Sequence, residues 1–84
     1  MKNLPSEIEK ELKSYLLDNF PEIYTVNYEI SEDGTMISVI VEMAYVNEDN
    51  FDIAIPAVEK ILDAKFQQIL ILKGKQYYNY IFNK

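Results

Sequence analysis

Apolar residues recur along this chain in two rhythms. From Pro5 to about Asn19, Ile8, Leu12, Tyr15 and Leu16 fall at i, i+4, i+7 and i+8, the spacing of one helix face, and the opposite face is charged. Ser6 and Glu9 form a candidate capping box, and Asn19-Phe20-Pro21 supplies a stop because the residue before a proline is pushed out of the α region. The rhythm then changes to alternation. In Ile23 to Ser31, Tyr24, Val26, Tyr28 and Ile30 alternate with Thr25, Asn27 and Glu29, which predicts a strand with one apolar face. Met36 to Val46 predicts a second strand, with Ile37, Val39, Val41, Met43 and Tyr45 on one face and a mixed face behind, as in an interior strand. Glu32-Asp33-Gly34 joins the two, and Asp-Gly offers the positive φ angles of a tight hairpin turn.

A polar break at Asn47-Glu48-Asp49-Asn50 precedes a second helix expected from about Asp52 to Lys65, with Ala54, Ala57, Val58, Ile61 and Leu62 on one side. Pro56 lacks an amide hydrogen and is expected in the first turn, which makes Asn50 or Asp52 the expected N-cap. A second hairpin follows, Gln67 to Lys73 and Gln76 to Phe82, turning at Lys73-Gly74-Lys75. Both its strands are apolar on both faces: Ile69 and Ile71 against Leu70 and Leu72, then Tyr77 and Ile81 against Tyr78, Tyr80 and Phe82.

The expected architecture is one α+β domain over residues 1–84, a two-layer sandwich in the order α-β-β-α-β-β, with a four-stranded, mostly antiparallel sheet and both helices on one face. Pro5-Ser6-Glu7-Ile8-Glu9-Lys10-Glu11-Leu12 faintly echoes Pro56-Ala57-Val58-Glu59-Lys60-Ile61-Leu62, which leaves two readings, an internal duplication and, favoured over it, the chance likeness of amphipathic helices. Two helices cannot cover both faces of the sheet. Contact with a partner, or with a second copy through the sheet, would cover the cluster Tyr77-Tyr78-Asn79-Tyr80-Ile81-Phe82.

Charge narrows the class of partner. The chain of 84 residues carries fourteen acids and eight lysines, a net charge of −6, with no Arg, His or Cys. Met1 to Asp63 holds all fourteen acids and four lysines, a net −10, while Ala64 to Lys84 holds four lysines and no acid. Direct binding to nucleic acid is disfavoured, because such proteins gain affinity by neutralising phosphates and Arg is the preferred reader of phosphate and guanine. The acids instead suit a negative field that steers a basic protein partner. Glu48, Asp49 and Asp52, the turn acids Glu32 and Asp33, and the tyrosines Tyr77, Tyr78 and Tyr80 are the candidate contact residues. Glu7, Glu11, Asp18, Glu22 and Asp63 would extend the field.

The chemical inventory points away from catalysis. Without His or Cys, the usual general base, the thiolate nucleophile and the commonest metal ligands are missing. The Glu48–Asp52 acids lack the central Gly and distal bidentate Glu of a calcium loop, and neither Gly34 nor Gly74 belongs to a phosphate-cradling loop. No metal and no cofactor are expected. No apolar stretch has the length of a signal peptide or membrane span, so the expectation is a cytoplasmic protein without membrane contact. In size, charge and missing chemistry the chain resembles the small acidic proteins with which phages and mobile elements block host nucleases, and antitoxin or immunity proteins. That resemblance implies an inhibitor whose partner is a nuclease or another nucleic-acid-binding effector. The runner-up expectation is a homo-oligomeric structural or adaptor domain.

Overall fold

The computed structural model describes residues 3–43, 48–71 and 77–84, with the side chains of residues 48–52 and 71 left out of account. Its elements are α1 (Ser6–Asn19), β1 (Ile23–Ile30), β2 (Met36–Met43), α2 (Glu48–Leu62), β3 (Lys65–Ile71) and β4 (Tyr77–Asn83). The four strands form one fully antiparallel sheet in the order β1-β2-β4-β3, so β2 and β4 are interior and β1 and β3 are edges. Both helices lie on one face, and the expected α+β class and element order stand.

The core is the layer between that face and the helices. Leu12 and Leu16 of α1 and Ala54, Val58 and Leu62 of α2 are buried against Ile37, Val39, Val41 and Met43 of β2 and Tyr78, Tyr80 and Phe82 of β4. Across the central pair each aliphatic side chain stands opposite an aromatic one: Ile37 with Phe82, Val39 with Tyr80, Val41 with Tyr78. Such cross-strand pairs stabilise by about 0.2–1 kcal/mol each beyond Ala pairs. The layer leaves an apolar void of only about 10 Å³ between Leu16, Val58 and Phe82.

Several local expectations are corrected. Pro5, not Ser6, is the N-cap of α1, and no side-chain cap bond forms, so the capping box is absent. The Pro5 carbonyl accepts the Glu9 amide at 3.0 Å instead. Helix α2 begins at Glu48 rather than near Asp52, which places Pro56 inside the helix and removes Asn50 and Asp52 as caps. Acids early in a helix suit its positive end, and Pro56 lies on the exposed side of α2, where a missing amide costs least. Gly34 alone has positive φ (77°) in the first hairpin turn, so Asp-Gly is not a two-residue mirror-image turn. The turn closes from the Gly34 amide to the Ser31 carbonyl at 2.9 Å. Tyr24 is 62 % exposed rather than on the apolar face of β1, because the register with β2 shifts between Ile23 and Thr25. One extra residue there sends Ile23 inward and Tyr24 outward. Tyr45 and the Lys73-Gly74-Lys75 turn lie outside the described residues.

The chain is two αββ halves with the same strand plan. The β3–β4 register shifts between Phe66 and Gln68, so Tyr24 and Gln67 are equivalent bulged residues 43 positions apart. Val26 opposite Val41 in the first hairpin corresponds to Ile69 opposite Tyr80 in the second. A pseudo-two-fold axis relating the halves passes through the Ile40–Asn79 pair. The Pro5–Pro56 echo is out of step with this repeat, since Pro5 caps a helix and Pro56 lies within one.

Candidate functional site

Alternation divides the strands between core and open face. On the open face, β1 places Thr25, Asn27 and Glu29, β2 places Glu42, Ile40, Ser38 and Met36, β4 places Tyr77, Asn79, Ile81 and Asn83, and β3 places Leu70, Gln68 and Lys65. No helix covers this side. The interior-strand residues Met36, Ile40, Glu42, Tyr77, Asn79 and Ile81 are half-buried by their neighbours, while the edge residues are exposed. Leu70 is 44 % exposed. The Oδ1 atom of Asn79, at the centre of the face, is shielded from solvent yet has no hydrogen-bond partner among the described residues. An unsatisfied buried acceptor costs about 1–3 kcal/mol, so it calls for an explanation.

This geometry sorts the candidate tyrosines. Tyr77 lies on the open face, where its ring can meet a partner. Tyr78 and Tyr80 are 2 % and 3 % exposed, on the core side, with their rings stacked at 6.4 Å. Their expected place at a partner surface is therefore corrected: in an interior strand, alternate residues face opposite ways, and the helices take this set. Asn79 and Ile81 of the expected contact cluster share the open face, and the open-face residues that sequence reasoning passed over are Ile40, Leu70 and Lys65. Their signal was the parity opposite to the core positions of β2 and β4.

The acids form a second surface. Glu7, Glu11 and Asp18 on α1 and Glu32 and Asp33 in the β1–β2 turn are exposed, while Glu29 is exposed on the open face. Glu22, counted in the field from sequence, is only 5 % exposed and does not belong to it. The side chains of Glu48, Asp49 and Asp52 lie outside the described residues. Asp33 is fixed by Ser31 Oγ (2.7 Å), the Thr35 amide (3.1 Å) and Thr35 Oγ1 (2.8 Å), all donating to Oδ1. Those donors lower its pKa to about 2, so the turn keeps its charge well into acid. Glu9 is also held below the ordinary glutamate value, first by the Tyr28 hydroxyl and then by Lys13, whose Nζ lies 3.3 Å away. Because Tyr28 Oη also accepts the Leu4 amide at 3.2 Å, this chain of bonds fastens the start of α1 to β1.

No group of three or more Asp or Glu among the described residues could hold a metal ion. A hollow of about 630 Å³ opens to solvent at the end of α2 beside Glu59, Lys60, Asp63, Lys65 and Lys84. Its Glu59 carboxylate accepts the Phe66 amide at 2.8 Å, a structural bond joining α2 to β3. Among the described residues, no helix is long and apolar enough to cross a membrane. The chain matches no family model, no curated protein and no solved structure.

Proposed function

We propose that this protein is a small non-catalytic binding module that presents an acidic surface to a basic protein, most naturally one whose groove normally holds nucleic acid. The observation that carries the reading is the surplus of exposed carboxylates on the outer side of α1 and at the β1–β2 turn. Among the described residues the ion pair found is Lys13 with Glu9, which leaves Glu7, Glu11, Asp18 and Glu32 outside any ion pair there. Charges so placed add into a field that raises the rate of encounter with an oppositely charged surface and disfavours nucleic acid itself. Occupying such a groove inhibits its owner, the work of a phage or mobile-element inhibitor of a nuclease. An antitoxin or immunity protein would use the same surface against another basic target.

The test is affinity capture with the tagged protein at low salt and at about 0.5 M salt, with double-stranded DNA as competitor. The expected partner is basic, is lost at high salt and is displaced by DNA. Two charge-reversal sets, Glu7→Lys with Glu11→Lys and Asp18→Lys, and Glu48→Lys with Asp49→Lys and Asp52→Lys, locate the contact. A partner retained at high salt by both variants would sink the electrostatic reading.

A further inference from the structure

We infer that the open face of the sheet is a self-association surface, on which a second copy of this chain docks face to face. Three independent observations converge on it. The centre of the face is apolar, with Ile40 and Ile81 on the interior strands and Met36, Tyr77 and Leu70 around them. Among these side chains sits Asn79, whose Oδ1 is hidden from water without a donor among the described residues. The charges of the face are divided: Glu29 and Glu42 stand on β1 and β2, and Lys65 stands on β3.

That division selects a second copy and its orientation. A two-fold axis between the faces, running along the strands, lays β1 of one copy over β3 of the other. Gln68 of β3 stands level with Glu29 of β1 across the sheet, and Lys65 begins the same strand. Glu29 therefore meets the Lys65 end of the second copy, and the contact occurs twice. Glu42 and Tyr77 are directly paired neighbours, so the same axis sets the Tyr77 hydroxyl of one copy against the Glu42 carboxylate of the other. The two Asn79 side chains then flank the axis, where the amide of each can donate to the orphaned Oδ1 of the other. An axis across the strands would instead set Glu29 beside Glu42 of the second copy, a like-charge contact.

Four strands about 4.8 Å apart and about seven residues long present a projected face of roughly 450 Å². Two such faces bury roughly 900 Å² in all, the size of weak and transient interfaces, so the dimer should dissociate on dilution through roughly the micromolar range. Its faces leave the acids of α1 on the outside, and the inference does not depend on the proposed basic partner.

Sedimentation velocity from low micromolar to millimolar protein tests it, with circular dichroism and thermal melting to confirm that each variant is folded. The wild-type chain is expected to pass from monomer to dimer. Asn79→Asp, which sets two carboxylates beside the axis, and Leu70→Lys, at a position already exposed, should each weaken dimerisation at least tenfold. Lys65→Glu should weaken it and Glu29→Lys added to it should restore it, a rescue that a merely structural role for Lys65 would not produce. A wild-type monomer throughout the range overturns the inference. So does a dimer indifferent to Asn79→Asp, Leu70→Lys and the charge exchange.

Discussion

In the first half of the molecule β2 lines the core with Ile37, Val39, Val41 and Met43, whereas in the second half β4 lines it with Tyr78, Tyr80 and Phe82. Both strands follow a helix and an edge strand, and the edge strands bulge at equivalent places, Tyr24 and Gln67. The backbone plan therefore does not require a particular side chain at any of these positions. It requires apolar parity, and volume is then shared unevenly, with slim residues on one side of the pseudo-axis and rings on the other. The same unevenness holds at the edges. Apart from Tyr24 at its bulge, edge strand β1 shows Thr25, Asn27 and Glu29 to solvent, while β3 exposes Ile69 and Leu70.

The sharpest way to break this comparison is to remove bulk from each side in turn. Phe82 is 1 % exposed, and Phe82→Ala should cost about 3–5 kcal/mol, a large part of the stability of a domain this small. Val39, at 2 % exposure, should cost less on truncation to Ala, about 1.5–3 kcal/mol. Urea unfolding of both variants provides the measurement. Equal losses would mean that the rings of β4 do not supply most of the core volume. For the same reason Tyr78→Glu and Tyr80→Glu should unfold the chain, and they report nothing about docking.

A second contrast concerns the two described backbones with positive φ. Gly34 (77°) lies in the first half, and Asp63 (53°) ends α2 in the second. Asp63 occupies the position after a helix where glycine is commonest, and the Ala64 amide reaches back to the Glu59 carbonyl at 3.1 Å, the bond of a Schellman motif. A side chain in this conformation is strained, and an acid at a helix C-terminus also opposes the dipole. Asp63→Gly should therefore stabilise by about 0.5–1 kcal/mol. Gly34→Ala should destabilise by about 1 kcal/mol although a Cβ there would meet nothing within 4 Å, because the strain lies in φ rather than in space. Melting temperatures should move in opposite directions, by about 4–8 °C per kcal/mol.

These contrasts show how much could be read in advance. Element order, the antiparallel sheet and the core sides of β2 and α2 follow from period and parity, which involve many residues at once. The misplaced residues each depend on one local event. Tyr24 fell on the wrong face because a bulge inserts a single residue, and nothing in Glu22-Ile23-Tyr24-Thr25 marks it. The start of α2 was placed too late because Asn47-Glu48-Asp49-Asn50 is polar, and polar acids suit a first helical turn as well as a loop. The tyrosines of β4 were recognised as a surplus that two helices could not cover on both sides. Which of them faced outward depended on the parity of an interior strand apolar on both faces, and that pattern is ambiguous until the register is known.

Acid sharpens the comparison between the hairpins through Asp33. Its pKa is lowered to about 2 from an ordinary 3.8 by bonds from Ser31 and Thr35, so the folded state binds this proton less readily than the unfolded chain. Its stabilising contribution is present in full above about pH 4 and is lost as the pH falls toward 2. Glu9, shifted in the same direction by Tyr28 and Lys13, adds a loss that begins near its ordinary 4.5. Asp33→Asn should flatten the acid limb of a stability-against-pH curve while leaving the slope from pH 5 upward unchanged. An unaltered acid limb would mean that the turn bonds do not persist in solution.

The smallest expected effect is the most direct test of the shared plan. If Tyr24 and Gln67 occupy equivalent bulges whose side chains leave the sheet without packing, each position should accept the residue of the other. Tyr24 is 62 % exposed and Gln67 is likewise exposed, so Tyr24→Gln and Gln67→Tyr should each change stability by no more than about 0.5 kcal/mol. Val26, two positions from Tyr24 and 5 % exposed, provides the control, because Val26→Gln puts an amide into the core and should cost several times as much. A loss at Tyr24 comparable with that at Val26 would mean that β1 runs without its bulge, with Tyr24 turned inward as plain alternation predicts. The two hairpins would then differ in register as well as in side chains, and the pseudo-axis through Ile40 and Asn79 would no longer relate them.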